Sequence, residues 1–510
     1  MKKLIPFVIV LPFFIMLYRY VNADFYYDEV YSLVNYIFVP WRQIVFEYVN
    51  SNNHFLASII NAAYLKLIGE NMLSLMDHPW VIRAPQLVYC VATFTIIYKF
   101  CHRFVGYHTA RLALLLMATS IPYYNYVCQV RGYSLSVMLM TAIIYLIFDV
   151  ETRVYGDIKK QILLAIVTAL FIYSACSNLY VVLGIAAYYL YRILRYKYVY
   201  PYDPDVYLPL LAGVIIAIIM YLPMIPGMLA DEHLSRHHHY FYFPVLYKAL
   251  PSVLWAFTSW RIPLVIMAAA GCYIEKEYIP ALPLYLVVIL SPFVFGFIRG
   301  DYWYERFYLH LIPVFCILVA HGLFLFYCKF IRRDFGICFA AVFLLCALTF
   351  VDGINNMDKN LVNDIRYGDK AAIGLTNNYW QAHYAPLKLL TEFKANYPQD
   401  KPFVVWYCDK AAMLWYLKKA GINAWDSRNI VKAIAQHDTV YVLSAFKSKI
   451  ETEFRNAGYN IDRIDKRPVV ESDDIFLSTL QAIYAEVAEF TFYEDIPLQY
   501  HNIYTVSRIK

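Results

Sequence analysis

Long apolar stretches, separated by short polar connections, fill the first 351 residues of the 510-residue chain. They fall at about residues 4–20, 81–100, 109–127, 133–149, 161–176, 178–194, 206–225, 262–274, 279–298, 307–328 and 335–351. An α-helix needs about 20 apolar residues to cross the hydrocarbon core of a bilayer, and these stretches reach or approach that length. The pattern predicts a polytopic α-helical membrane protein with about 11 transmembrane helices.

Two connections are longer than the others, at residues 21–79 and 226–261. The first contains HFLASIINAAYLKLIG and the second contains ALPSVLWAFTSW. Both pieces are rich in apolar residues but too short to span, which is typical of helices that lie in the membrane interface. We expect one such helix in each connection.

A different pattern begins near residue 352. PFVVWYC (402–408) and TVYVLSA (439–445) are short apolar runs typical of buried strands. KAAMLWYLKKAG and SKIETEFRNAGYN have helical character, and each has a glycine near its end, where many helices stop in the left-handed conformation. This alternation predicts a small soluble α/β domain over residues 352–510, following a membrane domain over residues 1–351.

Composition and charge agree with this division. Hydrophobic residues make up 61% of the chain and charged residues 16%, and the mean hydropathy is +0.47. The first 351 residues contain 43 charged side chains and the last 159 contain 39, so charge density doubles where the soluble domain begins. The net charge of +6 arises in the membrane domain, so it indicates topology and argues against nucleic acid as a partner.

Lysine and arginine are unevenly divided between the two ends of the predicted spans. With Lys2 and Lys3 inside, fifteen basic residues lie at cytoplasmic ends and nine in the outer connections. This bias favours a cytoplasmic N-terminus in a multi-pass plasma (inner) membrane protein. The two long connections follow the first and the seventh predicted span, and the C-terminal domain follows the eleventh. Since each of these numbers is odd, all three are expected outside.

Two adjacent carboxylates, Asp28 and Glu29, follow the first span in FYYDEVYSL. A carboxylate within hydrogen-bond reach can accept the proton that a hydroxyl or amine loses as it attacks a carbon atom. Partial burial at the membrane surface is expected to raise its pKa toward a useful range. The alternative is a pair of solvated loop acids, which are common after a span.

Arg131 stands between Gln129 and Tyr133 in QVRGY, in an outer connection after the third span. Arginine at such a boundary is costly unless it is paired or hydrated, and its guanidinium can donate two hydrogen bonds to a phosphate. The pattern therefore predicts a phosphate site. A snorkelling or helix-capping arginine is the structural alternative.

Arg306 shares a later outer connection with Asp301 and Tyr304. This crowding of charged and aromatic residues predicts a second phosphate or sugar site. An ion-paired loop without a ligand is the alternative, because exposed charges of opposite sign often pair with each other.

Histidines occur in both long connections. Asn53 and His54 precede the first interfacial helix, and His237 lies in the run Arg236–His239. They could contact a sugar or phosphate or hold a divalent metal ion, although a lone histidine more often caps or packs. Consecutive histidines cannot all point one way, and the sequence identifies no further metal ligands. No cofactor is required, and a divalent metal stays an alternative.

Five segments, taken in order, resemble motifs of polyprenyl-phosphate-sugar-dependent glycosyltransferases with the C-type membrane fold. The nearest groups are the protein O-mannosyltransferases and the lipid A aminoarabinose transferases. The segments are FYYDEVYSL, NNHFLASIINAAYLKLIG, WVIRAPQLVYCVATFTIIYKFCHRFVGYHTARLALLLMATS, YNYVCQVRGYSLSVML and YERFYLHLIPVFCILVAHGL. The resemblance covers roughly residues 1–350. Phe55 and Phe307 depart from the pattern, which usually has proline and tyrosine there.

The resemblance implies that Asp28 is the base or acceptor-orienting residue and that Glu29 supports it. It also implies that Arg131 and Arg306 lie near the phosphate of the donor. A lipid phosphate leaves without general-acid help when cations stabilise its growing charge, and a single displacement inverts the anomeric carbon. The expected substrate-binding residues are His54, Asn53, Gln129, Tyr133, Arg83, Asp301, Tyr304 and His237.

The predicted function is an integral membrane glycosyltransferase. Its predicted partners are a polyprenyl-phosphate sugar donor, membrane lipids, and a lipid, glycan or protein acceptor on the outer face. An O-antigen polymerase or ligase is an alternative that would not need the acidic pair. A lipid-glycan transporter is another, and it should show charges or broken helices at mid-membrane and two similar halves. An anchored receptor acting through residues 352–510 is the third.

Overall fold

The structure, a computed structural model, describes most of the membrane domain and parts of the tail. The described residues are 5–25, 27–49, 53–71, 74–152, 157–196, 203–231, 241–258, 261–300, 305–331, 334–355, 395, 403–405, 416–422, 424–426, 430–437, 439–444, 454–468 and 500–508. Because most of residues 352–402 lie outside these ranges, the domain boundary near residue 352 stays a prediction.

Helices account for most of the described residues as far as residue 355. In order they are α1 (Ile5–Asn22), α2 (Tyr27–Ser32), α3 (Trp41–Phe46), α4 (Phe55–Ile68), α5 (Pro79–Phe104), α6 (Tyr107–Ala118), α7 (Ile121–Tyr126), α8 (Tyr133–Glu151), α9 (Ile158–Ser174), α10 (Leu179–Tyr196), α11 (Asp203–Tyr221), α12 (Ile225–Ala230), α13 (Leu250–Thr258), α14 (Ile262–Ile274), α15 (Leu282–Arg299), α16 (Ile312–Phe326) and α17 (Phe335–Asn355). Every predicted apolar stretch overlaps one or two of these helices. The helices expected in the two long connections are α4 and α13.

The protein is a polytopic α-helical membrane protein. Within the described part of the chain, seven helical segments are long and apolar enough to cross a membrane. The number becomes eight if Val245–Thr258 and Ile262–Ile274, which meet at 103°, form one broken span. Some predicted spans are shorter helices, such as α6 with 12 residues and α9 with 17, so the length criterion gives fewer spans than the eleven predicted.

Close helix packing holds the bundle together. A Cβ at Gly271 would lie 2.1 Å from the Gly322 carbonyl oxygen, so α14 and α16 touch backbone to backbone and only glycine fits there. Small residues at such crossings are typical of membrane helices, because lipid supplies no hydrophobic force between them. The site described below lies at the end of the bundle where α1 stops and α5 and α8 begin, here called the site end.

Charged residues at the opposite end pair with one another. Arg103 on α5 contacts Asp149 on α8 at 2.6 Å, and Arg192 on α10 contacts Glu151 and Asp203 at 2.9 and 2.8 Å. These contacts join the ends of four helices. These ion pairs therefore stabilise the end of the bundle opposite the site.

The described part of the tail forms a five-stranded mixed sheet. Its elements are β1 (Phe403–Val405), β2 (Ala424–Asp426), α18 (Ile430–His437), β3 (Thr439–Ser444), β4 (Tyr459–Pro468) and β5 (Tyr500–Arg508). The strand order is β2-β1-β3-β5-β4, in which β1 runs parallel to β2 and β3, and β5 runs antiparallel to β3 and β4. The two strands predicted from the sequence are β1 and β3, and the α/β class of the tail is confirmed.

Glycine ends the predicted tail helices as expected. Gly421 has a φ of 68° and Gly458 a φ of 79°, both in the left-handed region. The Ile422 amide donates to the Leu417 carbonyl at 2.9 Å, which closes the turn characteristic of a glycine-terminated helix. The sequence did not predict the helix α18 or the strands β2, β4 and β5. Of these strands, β2 and β4 are the edges of the sheet, and β5 lies between β3 and β4.

Candidate active site

One oxygen atom of Asp28 accepts hydrogen bonds from two arginines. Asp28 lies on the short helix α2, and its Oδ2 is 2.7 Å from Arg131 Nη1 and 2.8 Å from Arg306 Nη1. Arg131 immediately precedes Gly132 and α8, and Arg306 lies in the 3₁₀ turn Glu305–Leu311 before α16. Three segments that are far apart in the sequence thus meet at the site end of the bundle.

The two arginines control the charge of Asp28. Burial acts to raise the pKa of this carboxyl, but the positive charges of Arg131 and Arg306 outweigh burial and hold the pKa below its ordinary value. The expectation of a raised pKa is therefore wrong for this arrangement, because it left out the two cations. Asp28 is a carboxylate whose negative charge is already engaged.

Glu29 points away from Asp28 and forms a buried pair with Arg83. Its two carboxylate oxygens accept from Arg83 Nε at 3.0 Å and Nη2 at 2.7 Å, and Oε1 also accepts from the Val130 amide at 3.2 Å. Arg83 Nη1 donates to the carbonyl oxygens of Tyr20 and Val21 at the end of α1. The pair therefore ties α2 to the ends of α1 and α5 and to the turn before α8.

His54 lies buried beside the Asp28 cluster. Neither ring nitrogen has a well-formed hydrogen bond within the described residues. The ring packs edge-on against Tyr133 at 5.0 Å and faces Phe307 at 6.4 Å. A Cβ at position 132 would come within 2.9 Å of His54 Nδ1, so Gly132 is needed for this close approach.

The charge state of His54 follows from its surroundings. Burial and the nearby Arg131 charge lower its pKa well below the ordinary value, and Arg306 adds to this effect. The Ser174 carbonyl opposes the shift but does not reverse it. The imidazole is therefore neutral near pH 7 and offers one donor and one acceptor.

Two adjoining cavities, here called the His54 cavity, open around this ring. The space between their walls, which is partly open to solvent, amounts to about 370 and 220 Å³, and both are lined by His54, Ala175 and Phe307. The first is also lined by Tyr48, Asn53, Phe55, Cys176, Ser177, Tyr221 and Met228. The second is also lined by Tyr133, Ser136, Asn178, Arg306, Leu309 and His310. Aromatic walls with a few convergent polar groups are typical of a small-ligand site, and Arg306 links this one to Asp28.

Several polar groups of the cavity are available to a ligand. The Tyr133 hydroxyl and His310 Nε2 make no hydrogen bond within the described residues, like the nitrogens of His54. In contrast, Asn53 Oδ1 accepts from the Ser58 hydroxyl at 2.9 Å, which fixes the start of α4. Phe55, at the position where the resembling family usually has proline, stacks on Tyr173 at 5.9 Å and forms part of the aromatic wall.

The structure brings together most of the residues that the sequence singled out. Gln129 is buried next to them, and its carbonyl accepts from the Arg131 amide at 2.6 Å. The predictions for Asp301, Tyr304 and His237 lie outside the described residues. Sequence reasoning missed His310, Ser136 and Asn178, although a polar residue within an apolar span is itself a signal of function.

No metal site is formed by the part of the chain that the structure describes. Within it, no three His, Cys, Asp or Glu side chains are grouped so that they could hold a metal ion. The run Arg236–His239, which suggested the divalent-metal alternative, lies outside these residues.

Comparison with known proteins gives a match in structure but not in sequence. No family model and no curated protein matches the chain. The solved structure of ArnT from Cupriavidus metallidurans bound to undecaprenyl phosphate is similar over 91% of this chain and 96% of that chain, with 10% identity and a TM-score of 0.53. ArnT in the apo state is similar over 89% and 91%, with 11% identity and a TM-score of 0.50.

A more distant likeness is found to the archaeal oligosaccharyltransferase AglB from Archaeoglobus fulgidus. It covers 86% of this chain and 66% of that chain, with 12% identity and a TM-score of 0.41. At such identities the likeness to ArnT establishes the fold. The chain has the C-type membrane glycosyltransferase fold that the five sequence motifs resemble.

Proposed function

We propose that the protein is a membrane glycosyltransferase that moves a sugar from a polyprenyl phosphate to a lipid, glycan or protein acceptor on the outer face of the plasma membrane. The observation that carries the proposal is the Asp28 carboxylate bridging Arg131 and Arg306 at the wall of the His54 cavity. A base, two phosphate-binding cations and a cavity are the parts that such a transfer needs. The fold is that of ArnT, whose structure holds undecaprenyl phosphate.

The donor phosphate would take the place of Asp28 on the two arginines. A sugar-linked lipid phosphate is a diester with one negative charge, and guanidinium groups bind phosphate oxygens with charge-assisted hydrogen bonds. Two arginines, one carboxylate and one diester are together neutral. The donor can therefore bind without leaving an unpaired charge. Such a charge would be costly at this buried site, where little water can solvate it.

The transfer step balances within the same group of residues. The acceptor oxygen or nitrogen attacks the anomeric carbon and forms the new bond, while the bond from that carbon to the phosphate oxygen breaks. The electron pair leaves with the phosphate, which gains a second negative charge, and the acceptor proton passes to Asp28. The total charge is unchanged, and Arg131 and Arg306 stabilise the charge that grows on the leaving group.

Donor binding also strengthens the base. In the free protein the two arginines lower the pKa of Asp28, whereas burial acts to raise it. Because the diester offsets one of the two positive charges, the arginines then oppose the effect of burial less strongly and the pKa of Asp28 rises. Attack on the side opposite the phosphate, with a single base and no covalent intermediate, inverts the anomeric carbon.

The remaining residues have supporting roles in this proposal. His54, Tyr133 and the other unused polar groups of the His54 cavity bind the sugar hydroxyls. Because Arg83 directs its donors to Glu29 and to backbone carbonyls, we assign it to positioning, together with Glu29. In this proposal Glu29 supports Asp28 indirectly, because its bonds to Arg83 and to the Val130 amide fix the backbone on which Asp28 and Arg131 lie.

Sugar transfer from a panel of radiolabelled polyprenyl phosphates tests the proposal. Membranes would carry wild type, Asp28→Asn or the control Asp157→Asn at matched expression, since Asp157 caps α9 at the opposite end of the bundle. Transfer by wild type and control that is lost in Asp28→Asn supports the proposal. Equal transfer by all three removes Asp28 as the base. No transfer by wild type, together with undecaprenyl phosphate binding that survives Arg131→Ala, contradicts the proposal as a whole.

A further inference from the structure

Part of the tail is built into the back of the active site. The segment Tyr416–Ile422, the end of a tail helix and its glycine turn, packs on the site end of the bundle. Tyr416 and Leu417 are fully buried there. They belong to one apolar group, here called the docking cluster, whose principal members are Phe25, Val30, Leu33, Ile82, Val130, Tyr416, Leu417, Ile422 and Tyr441.

The docking cluster consists largely of the chain neighbours of the charged residues. Val30 follows Glu29, Ile82 precedes Arg83, and Val130 precedes Arg131. At each of these three places, the charged side chain takes part in the ion pairs of the site and the adjacent apolar side chain lies in the docking cluster. The cluster is therefore the reverse side of the same three backbone segments that hold the site.

Two polar contacts fix the tail to these segments. The Tyr416 hydroxyl donates to the Phe25 carbonyl at 2.9 Å in a buried setting. The Phe25 ring in turn lies 4.9 Å from the Arg83 guanidinium. Lys419 pairs with Asp77 at 2.5 Å, just before α5 begins. The tail thus holds the chain on both sides of the Glu29–Arg83 pair.

The helix that carries Asp28 depends on such packing. α2 has six residues, and a helix of this length is not stable by itself in water. Val30 in this helix and Leu33, the first residue after it, are fully buried in the docking cluster. If the tail surface were removed, these side chains would lose part of their cover, and the geometry of Asp28 against Arg131 and Arg306 would loosen.

We propose that the segment Tyr416–Ile422 is a positioning element of the active site, and that the tail is part of the catalytic unit. It acts through the docking cluster on Glu29, Arg83 and Arg131, and it fixes the carboxylate of Asp28 relative to the two arginines. The catalytic consequence rests on the proposed glycosyl transfer, but the mechanical one does not.

Strand β3 offers a matched control variant, because side chains on its two faces pack in two different apolar groups. Tyr441 points into the docking cluster, whereas its neighbours Val440 and Val442 pack with Val404 and Ile434 in the interior of the tail. Val442→Ala therefore weakens the tail without removing a contact to the active site. Leu417→Ala removes apolar contacts within the docking cluster, and the milder Tyr416→Phe removes the hydrogen bond to the Phe25 carbonyl.

Hydrogen–deuterium exchange of the full-length protein in nanodiscs tests the mechanical part. We expect faster amide exchange in peptides covering residues 27–37 and 127–135 in Leu417→Ala and Tyr416→Phe, and wild-type exchange there in Val442→Ala. Unchanged exchange in both cluster variants overturns the proposal. An equal increase in all three variants also overturns it, because the effect would then be general loss of tail stability.

Steady-state kinetics with the donor found active in the transfer panel tests the catalytic part. We expect kcat to fall about tenfold in Leu417→Ala with the donor KM within about twofold of wild type, as expected for misplaced reacting groups. A wild-type kcat despite faster exchange overturns positioning. If wild type transfers no sugar and undecaprenyl phosphate binding survives Arg131→Ala, the proposed function fails, and exchange alone still decides whether the tail holds the site.

Discussion

Arg83 donates to both carboxylate oxygens of Glu29, at 3.0 and 2.7 Å, and neither side chain is exposed to solvent. Glu29, the carboxylate next to Asp28, therefore has a structural role, because its partner Arg83 also donates to the backbone carbonyls at the end of α1. Breaking a buried pair by removing one partner leaves an uncompensated buried charge, whereas removing both partners leaves none. The stability of the site end should therefore depend on the pair being complete.

Arg83→Met is expected to lower the free energy of unfolding by about 3–5 kcal/mol. The double variant Glu29→Gln with Arg83→Met is expected to recover a large part of that loss, because no charge is then left alone. The two variants are compared with wild type by heating each protein in detergent and measuring how much stays soluble and monodisperse. A double variant that is less stable than Arg83→Met would contradict the account of the pair.

Arg131 and Arg306 should contribute to binding of the lipid phosphate. Removing one charged hydrogen-bond donor costs about 1.5–3 kcal/mol, so Arg131→Ala and Arg306→Ala are each expected to weaken undecaprenyl phosphate binding about 10- to 150-fold. Binding of the lipid to protein in detergent measures the effect. Arg299→Ala is the control, since Arg299 lies at the same end of the bundle but donates to the Tyr180 hydroxyl. An equal loss in the control would show that total charge matters more than these two residues.

The sequence predicted the membrane helices well because span length and apolar composition are local properties. It also placed Asp28, Arg131 and Arg306 on one side, since topology follows from counting spans and basic residues. The number of spans predicted, about 11, exceeds the seven or eight described segments long enough to cross a membrane, because α6 and α9 are shorter than a bilayer requires. Helix length depends on tertiary packing, which no single stretch encodes.

The pairing of the charges could not be predicted from the sequence. Whether Glu29 faces Asp28 or Arg83 depends on the direction of a six-residue helix, which the docking cluster fixes. The pKa of Asp28 was predicted in the wrong direction for the same reason, because burial was visible in the sequence but the two facing cations were not. His310 could have been singled out as a polar residue within an apolar span, but only the structure shows that it lines the His54 cavity.

The pH dependence of the reaction should differ between the free and donor-bound protein. The ionised form of Asp28 accepts the proton, so activity falls as pH drops through its pKa. In the free protein Arg131 and Arg306 lower this pKa, and the donor phosphate is expected to raise it. Since kcat/KM reports the free enzyme and kcat the complex, the acidic limb of kcat/KM should lie at lower pH than that of kcat.

Measured pH profiles of wild type and Arg306→Gln check this order. Arg306→Gln removes one of the two cations, so it should move the acidic limb of kcat/KM to higher pH and affect that of kcat less. The linked stability has the same sign. Ion-pair stabilisation from the depressed pKa of Asp28 persists at neutral pH and is lost only as pH falls through that pKa. A kcat limb at or below the kcat/KM limb would refute activation of the base by the donor.

Gly132 gives the sharpest test of the His54 cavity. Its φ of −73° suits any residue, so alanine adds no backbone strain, but the new Cβ would lie 2.9 Å from His54 Nδ1. The imidazole must then shift, and we expect transfer to fall about tenfold or more because the sugar is misplaced.

Gly336→Ala is the control for Gly132→Ala, since its nearest neighbour is the end of the exposed Asp334 side chain. His54→Ala should lower transfer in the same way. Neither variant should remove a titration near pH 6.5, because the wild-type imidazole has a pKa well below that value and is neutral throughout the working range. Wild-type transfer by both Gly132→Ala and His54→Ala would show that the sugar binds elsewhere, and would leave the cavity as a gap between packed helices.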